Sequence, residues 1–350
     1  MKIAITADLH LTNRSKNPER FEAFENLLAN LTAMGIQHLV IAGDLFDVHQ
    51  SNYTDFEVVC KSHLSINIHV IPGNHDPGIS SRVIAAQNLK IYTQPELLHF
   101  DERGLNILVV PYQADKSMGE VVANSLPDLH EQDWVLVGHG DYTGSLQYRN
   151  PYEEGVYMPL TKRDVQKFLP KRVFLGHIHY PHEKDGVFYC GSPCGLDITE
   201  VGRRRFLVFD TTTFEVTSFT VNSPLIFLDE MITVLPVEDE RSYLFQKAKE
   251  LIKAWEIQTE EIPKVRLRVR LNGYTSDKTQ LTEIIKEIFE DYHHVAEPDL
   301  SRVSNSNDLE RTNIAQTVRR RISELNWTNA AVEPSSEEIF EQAMRLIYGA

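Results

Sequence analysis

Ile66-Asn67-Ile68-His69-Val70-Ile71-Pro72-Gly73-Asn74-His75-Asp76 is the stretch whose reading decides the fold. Its first six residues read as a buried strand. Pro-Gly then breaks the run, and an amide, an imidazole and a carboxylate follow in succession. Polar clusters of this kind at strand ends are where α/β folds place their chemistry. Four further clusters follow apolar runs in the same manner: Asp8-Leu9-His10 after residues 2–7, Gly43-Asp44 after 38–42, Gly138-His139 within 134–139, and Gly176-His177-Ile178-His179 after 172–176. The chain reads as a scaffold that brings five strand ends together around metal ions.

Outward from that stretch, the elements alternate. Residues 18–34 carry Phe21, Phe24, Leu27, Leu28 and Leu31 at helical spacing, with Asn17 as N-cap, Pro18 at the first position and Gly35 as stop. A strand–helix–strand order predicts parallel pairing with helices on the sheet faces. From about residue 97 short strands come with fewer helices (105–110, 134–138, 172–176, 187–190, 206–209, 216–221), which predicts a second, partly antiparallel sheet. The predicted class is α/β, two stacked β-sheets flanked by helices over residues 1–223, with a boundary at Asn222-Ser223-Pro224. A small β-α-β-α domain is predicted over 224–296. Its strand 265–271 alternates Val265, Leu267, Val269 and Leu271 with Arg266, Arg268 and Arg270. Residues 297–308 read as a polar linker, and 309–350 as a pair of amphipathic helices.

Bulk properties narrow the function. At 350 residues the chain exceeds the size at which one core usually stops growing. Its 35 basic and 50 acidic residues give a formal charge of −15, which excludes a protein that holds nucleic acid by a broad basic face. Phosphate must then be met by local basic patches, metal or another subunit. Three cysteines (Cys60, Cys190, Cys194) do not make a disulfide framework, and no apolar run reaches membrane-spanning length. A reducing cytoplasm, without a membrane, is the expected setting.

The side chains at the five strand ends are carboxylates, imidazoles and an amide. That mixture suits divalent transition metals such as Mn²⁺, Fe²⁺ or Zn²⁺; it is too rich in nitrogen for Ca²⁺ and too poor in thiolate for a structural zinc cage. Residues two apart at a strand end point the same way, so Asp8 with His10, and His177 with His179, could each serve one site.

These five blocks, in this order, resemble the calcineurin-like metallophosphoesterase superfamily. Asp8-Leu9-His10, Gly43-Asp44-Leu45-Phe46-Asp47, Gly73-Asn74-His75-Asp76, Gly176-His177-Ile178-His179 and Gly191-Ser192-Pro193 are similar, more narrowly, to its SbcD-type nucleases. The resemblance implies two divalent ions, Mn²⁺ by preference, about 4 Å apart. One would be held by Asp8, His10, Asp44 and His179, the other by Asp44, Asn74, His139 and His177, with Asp44 bridging. It implies His75 as a catalytic group facing the substrate, Asp76 as the carboxylate orienting it, and Asp47 behind the ligands. It further implies a nuclease subunit of DNA repair or recombination, a 3′-to-5′ exonuclease on duplex ends that also cuts single strands. An SbcC-type coiled-coil ATPase bound through the C-terminal helices and a homodimer belong to the same implication. In that setting Arg266, Arg268 and Arg270 become DNA contacts.

Other readings stay open on the residues alone. A stand-alone phosphoesterase acting on a small nucleotide or phosphoprotein would use the same metal chemistry, and a non-catalytic DNA-end scaffold would keep the fold. Arg203-Arg204-Arg205 and Arg319-Arg320-Arg321 fit solvated faces or ion-pair partners as readily as phosphate contacts. Gly191-Ser192-Pro193 fits a plain turn as readily as a site wall.

Overall fold

The computed structural model describes residues 1–48, 53–80, 82, 84–100, 105–125, 133–144, 155–235, 239–305, 309–325 and 336–348. The chain divides into two compact units, Met1–Ile226 and Phe227–Ala350.

In the first unit the alternation expected from the sequence is present. β1 (Lys2–Thr6), α1 (Pro18–Met34), β2 (His38–Ala42), α2 (Thr54–Ser62), β3 (Asn67–Ile71) and β4 (Leu89–Ile91) build the parallel part of one sheet. α1 buries the apolar stripe read from the sequence, and its chain leaves at Gly35 in the left-handed region, φ 69°, as a stop glycine should. β5 (Glu96–Leu98), β6 (Asn106–Val110), α3 (Met118–Ser125), β7 (Trp134–His139), α4 (Lys162–Phe168), β8 (Arg172–Gly176), β9 (His182–Lys184) and β10 (Val187–Tyr189) supply a second sheet in the order β5-β6-β7-β8-β10-β9, parallel in the middle and antiparallel at both edges. β11 (Arg205–Asp210) and β12 (Val216–Thr220) return to the first sheet, giving β12-β11-β1-β2-β3-β4. That corrects the sequence expectation, which put both strands in the second sheet. β11 pairs antiparallel with β1 across about 200 residues of sequence, a partner that strand periodicity cannot name.

The sheets stack face to face. Ile3, Ile5, Val40 and Ile71 of the first meet Val109, Val135, Val137 and Phe174 of the second in one buried cluster. Ala4, Leu39 and Ile41 point the other way, under Phe21, Phe24 and Leu27 of α1, and Leu108 and Leu136 of the second sheet lie under Met118 and Val122 of α3. The period-two alternation thus feeds two apolar layers from each strand. Burying each Phe or Leu of this set contributes about 1.5–3 kcal/mol. β1 pairs in parallel with β2, and β7 with β8, and these four strands end at clusters singled out in the sequence.

The second unit contains β13 (Ile226–Val234), α5 (Glu240–Ala254), β14 (Val265–Thr275), α6 (Lys278–Ile288), β15 (His293–His294), β16 (Asp299–Asn305), α7 (Leu309–Glu324) and α8 (Ser336–Tyr348). Four strands form a small sheet, β13-β14-β15 with β16 also pairing β14 in parallel. The stretch expected as a linker at 297–308 is therefore corrected over Asp299–Asn305. It reads as linker because only Val303 is buried, and the strand is held by backbone pairing that its polar side chains do not reveal. On β14 the alternation holds: Val265, Leu267, Val269 and Leu271 are buried, and Arg266, Arg268 and Arg270 face outward. Among the described residues no helix is long and apolar enough to cross a membrane.

Candidate metal centre

The turns after β1, β2 and β8 share an unusual backbone. Asp8 (φ 55°), His10 (φ 44°), Asp44 (φ 48°) and His177 (φ 92°) all have positive φ, which few residues other than glycine adopt. Such geometry is held only when the surroundings over-determine it. Here backbone bonds do so, from Asp8 N to Gly43 O (3.1 Å) and from His10 N to Asp44 O (3.0 Å), which zip the first turn to the second. The left-handed turns, rather than strand alternation, aim these side chains. They send His177 and His179 to different partners, against the expectation that two residues apart means one shared site. Gly43 itself sits at φ 94°, and a Cβ there would lie 2.0 Å from His139 Nδ1; one at Gly73 would lie 2.1 Å from Asp44 Oδ1. Bare backbone at these two positions is what lets the ligand side chains close in.

Seven residues singled out in the sequence converge. His10 Nε2 lies 3.1 Å from His179 Nε2 and 3.6 Å from Asp44 Oδ2. Asp8, His10 and His179 each offer a ligand atom within 4.8 Å of the others, and so do Asp8, Asp44 and His139. His139 Nε2 lies 3.3 Å from Asp44 Oδ2 and 2.8 Å from Asn74 Oδ1, and His177 Nδ1 is 3.1 Å from the same Asn74 oxygen. Asp44 therefore stands where the His10/His179 group and the His139/Asn74/His177 group meet.

The donor set fits cations. The Ala42 carbonyl, 2.9 Å from His139 Nδ1, can only accept, so Nδ1 carries the proton. The carboxylate of Glu200, 2.7 Å from His179 Nδ1, fixes that ring in the same way. In the neutral rings both Nε2 lone pairs then face the pocket, alongside Asp8 Oδ2 and Asp44 Oδ2, buried carboxylate oxygens that accept no hydrogen bond. Buried carboxylate oxygens left bare cost several kcal/mol, on the order of what a bound cation would offset.

Electrostatics agree. Burial works against charging His139, yet the Asp44 carboxylate 3.3 Å from its Nε2, with Asp8, lifts it to about 10. Burial likewise resists ionising Asp44, but His139, His10 and His75 together hold its carboxyl well below the usual range. Asp8 is pushed up, chiefly by burial. A pocket that pulls protons onto its imidazoles is one that favours positive charge.

His75 lies beside this group. Its backbone N–H donates to Asp44 Oδ1 (2.9 Å), its Nδ1 is 2.7 Å from the Asp47 carbonyl, and its ring meets His10 edge-on at 4.7 Å. A ring nitrogen of His75 also lies within 4.8 Å of ligand atoms of His10 and Asp44. The orienting role expected for Asp76 is corrected: Asp47, through its main chain, takes it. Asp76 is fully buried and accepts from Gly73 N (2.8 Å) and Phe46 N (3.0 Å), so its carboxylate ties two turns together. Burial, and then the nearby Asp44 charge, push Asp76 up to about 6. Asp47 also places Oδ1 3.3 Å from His10 Nδ1.

Three polar residues of the site escaped the sequence reading. Glu200 backs His179, Arg204 is buried against Ser192, Glu200 and the His179 carbonyl, and Asp141 places a buried oxygen 3.7 Å from His177 Nε2. Arg204 belongs to the run Arg203-Arg204-Arg205, for which the sequence leaves solvated face, ion pair and phosphate contact all open; its burial and its place beside Glu200 favour the ion pair. Arg268 and Arg270 both grip Asp229, at 2.5–2.9 Å, and Arg266 bonds the carbonyls of Pro263 and Val265.

Residues 1–199 match the calcineurin-like phosphoesterase family, over half of the chain, and the chain belongs to it. No curated protein matches by sequence. Among solved structures, an archaeal phosphodiesterase is similar at 14% identity, covering 63% of this chain and 100% of its own, with a TM-score of 0.34. The protein TT1561 of Thermus thermophilus is similar at 13% identity, covering 63% and 99%, with a TM-score of 0.41. The family and the buried His/Asp clusters together define a metal-dependent phosphoester hydrolase.

Proposed function

We propose that the chain hydrolyses phosphodiesters with two divalent cations, one taken by Asp8, His10, Asp44 and His179 and the other by Asp44, Asn74, His139 and His177. The observation that carries this reading is the pair of buried carboxylate oxygens, Asp8 Oδ2 and Asp44 Oδ2, without hydrogen bonds among inward-facing imidazoles. Two cations held by these residues would supply Lewis-acid stabilisation of the phosphoryl group and of the attacking and leaving oxygens. The protein residues do the rest. Asp44 Oδ1 fixes the His75 amide, and Asp47 O accepts the hydrogen bond from Nδ1–H of the His75 ring, which makes Nε2 the basic nitrogen of the neutral ring. Protonated, Nε2–H can donate to the leaving oxygen.

DNA is the substrate we assign, on the likeness of the five blocks to the SbcD-type nucleases and on the small β-α unit with a terminal helix pair that follows them. The terminal helices support a coiled-coil ATPase as partner: Leu325 (58% exposed) and Leu346 (85% exposed) leave apolar surface uncovered. A second reading, a phosphoesterase for small nucleotides or phosphoproteins, draws on a specific observation. The arginines of β14 that the DNA reading uses, Arg268 and Arg270, share the Asp229 carboxylate within their own sheet. The test is hydrolysis of 3′-labelled duplex DNA, single-stranded DNA, a nucleotide and an aryl phosphodiester, each with Mn²⁺ and with chelator. Mn²⁺-dependent loss of the DNA label is the expected result. Turnover of the small esters with intact DNA would give the function to the second reading.

A further inference from the structure

Two residues of the cluster behind His179, Glu200 and Arg204, lie past the point where the family match ends, at residue 199. Glu200 Oε1 sits 2.7 Å from His179 Nδ1. Its other oxygen accepts from Ser192 Oγ (2.8 Å) and from Leu196 N (3.1 Å), and stands 3.6 Å from Arg204 Nη2. Arg204, 2% exposed, donates to Ser192 O (2.9 Å), to Ser192 Oγ (2.9 Å) and to the carbonyl of His179 itself (2.6 Å). One cluster thus grips His179 twice, by its ring and by its main chain. Ser192 is fully buried within it, so Gly191-Ser192-Pro193 is a structural brace rather than a surface turn.

We infer that Glu200, braced by Ser192 and Arg204, is a positioning residue that sets the tautomer of His179 and so creates the site for one of the two cations. The inference rests on the dinuclear reading above. An ionised carboxylate only accepts, so His179 must carry its proton on Nδ1 and present an Nε2 lone pair toward His10 Nε2, 3.1 Å away. Ser192 Oγ and Leu196 N donate to Glu200 Oε2 and the Arg204 guanidinium stands beside it, so the side chain is held as the ionised acceptor. Carboxylates behind metal-binding histidines act in this way generally, and their loss costs about 10–100-fold in metal affinity.

The geometry makes the amide variant informative. Three donors surround Oε2, so in Glu200→Gln the carbonyl oxygen stays with them and the NH₂ turns to His179 Nδ1. Two donors cannot face each other, so the ring shifts its proton to Nε2 and closes the lone pair that the cation needs. A side chain that merely packs would tolerate this isosteric change. The experiment is calorimetric titration of the full chain with Mn²⁺, on wild type, Glu200→Gln and Glu200→Asp, with circular dichroism as the folding check. Expected are two sites in wild type, one of them weakened about 10–100-fold in Glu200→Gln, the other unchanged, and part of the loss recovered in Glu200→Asp, which keeps the charge. Should Glu200→Gln not fold, Ser192→Ala takes its place, with the same single-site weakening expected at smaller size. Two sites of wild-type affinity in a folded Glu200→Gln or Ser192→Ala overturn the inference and leave the dinuclear reading intact. No Mn²⁺ bound by folded wild type overturns both.

Discussion

The two oxygens of Asp44 have separate duties: Oδ1 holds the amide of His75, and Oδ2 stands between the imidazole groups of His10 and His139. Asp44→Asn therefore should cost both cations at once, seen as loss of both Mn²⁺ sites by calorimetry together with cleavage. His75→Leu separates binding from chemistry. Its ring contributes to the reaction rather than to the four-residue sets, so Mn²⁺ binding should persist while the cleavage rate falls by about 10²–10⁴. A His75→Leu enzyme cutting at the normal rate would remove the role given to this residue. Single residues of the site were legible because each sits in a short polar cluster after an apolar run. What stayed hidden are Glu200, Arg204 and Asp141, whose partners in the site come from 21 to 36 positions away and whose meaning lies in burial. The same blindness gave Asp76 a role beside its sequence neighbour His75, when its carboxylate in fact points back to Gly73 and Phe46.

At the scale of elements, turns matter more than strands. The strands after residues 2, 38 and 172 were legible as apolar runs, but the left-handed turns that follow them have no signal beyond an occasional glycine. Gly43 is the sharpest case, with φ 94° and the His139 ring where a Cβ would go. Gly43→Ala should lower stability by about 1–3 kcal/mol, read from urea unfolding, and displace His139 enough to weaken Mn²⁺ binding. On β14, Asp229 masks Arg268 and Arg270. The three side chains are partly buried and joined by four hydrogen bonds, so Asp229→Asn should lower stability by about 1–3 kcal/mol. If DNA is the substrate and this face meets it, the same change removes the carboxylate that both guanidinium groups share, and DNA binding should tighten and become more salt-dependent. Unchanged binding at every salt concentration would take these arginines out of the DNA interface.

The whole molecule pairs a four-layer first unit, whose fold class the sequence announced, with a second unit whose boundaries it blurred. β11 joins β1, and β12 joins β11, because pairing is decided by three-dimensional closure, and β16 hides because an edge strand can be polar. Overall stability should also depend on pH through a pair away from the metal pocket. His69, whose Nδ1 is 2.8 Å from Tyr92 Oη, is held down to about 3, first by burial and then by the charges of His38 and Lys90. The unfolded chain binds that proton near 6.5, so between about 6.5 and 3 it holds more protons than the folded state, and stability falls as pH drops through that window. His69→Phe lacks this loss. Its melting temperature should therefore gain on wild type as pH falls from 7 to 4, whatever the offset at pH 8, and parallel curves would exclude the effect. Anomalous scattering from crystals of the full chain soaked in Mn²⁺ would reveal the two cations themselves. Two peaks are expected about 3.5–4 Å apart, one against Asp8, His10 and His179, the other against Asn74, His139 and His177, with Asp44 touching both. A single peak, or peaks that leave Asp44 untouched, would contradict the dinuclear reading.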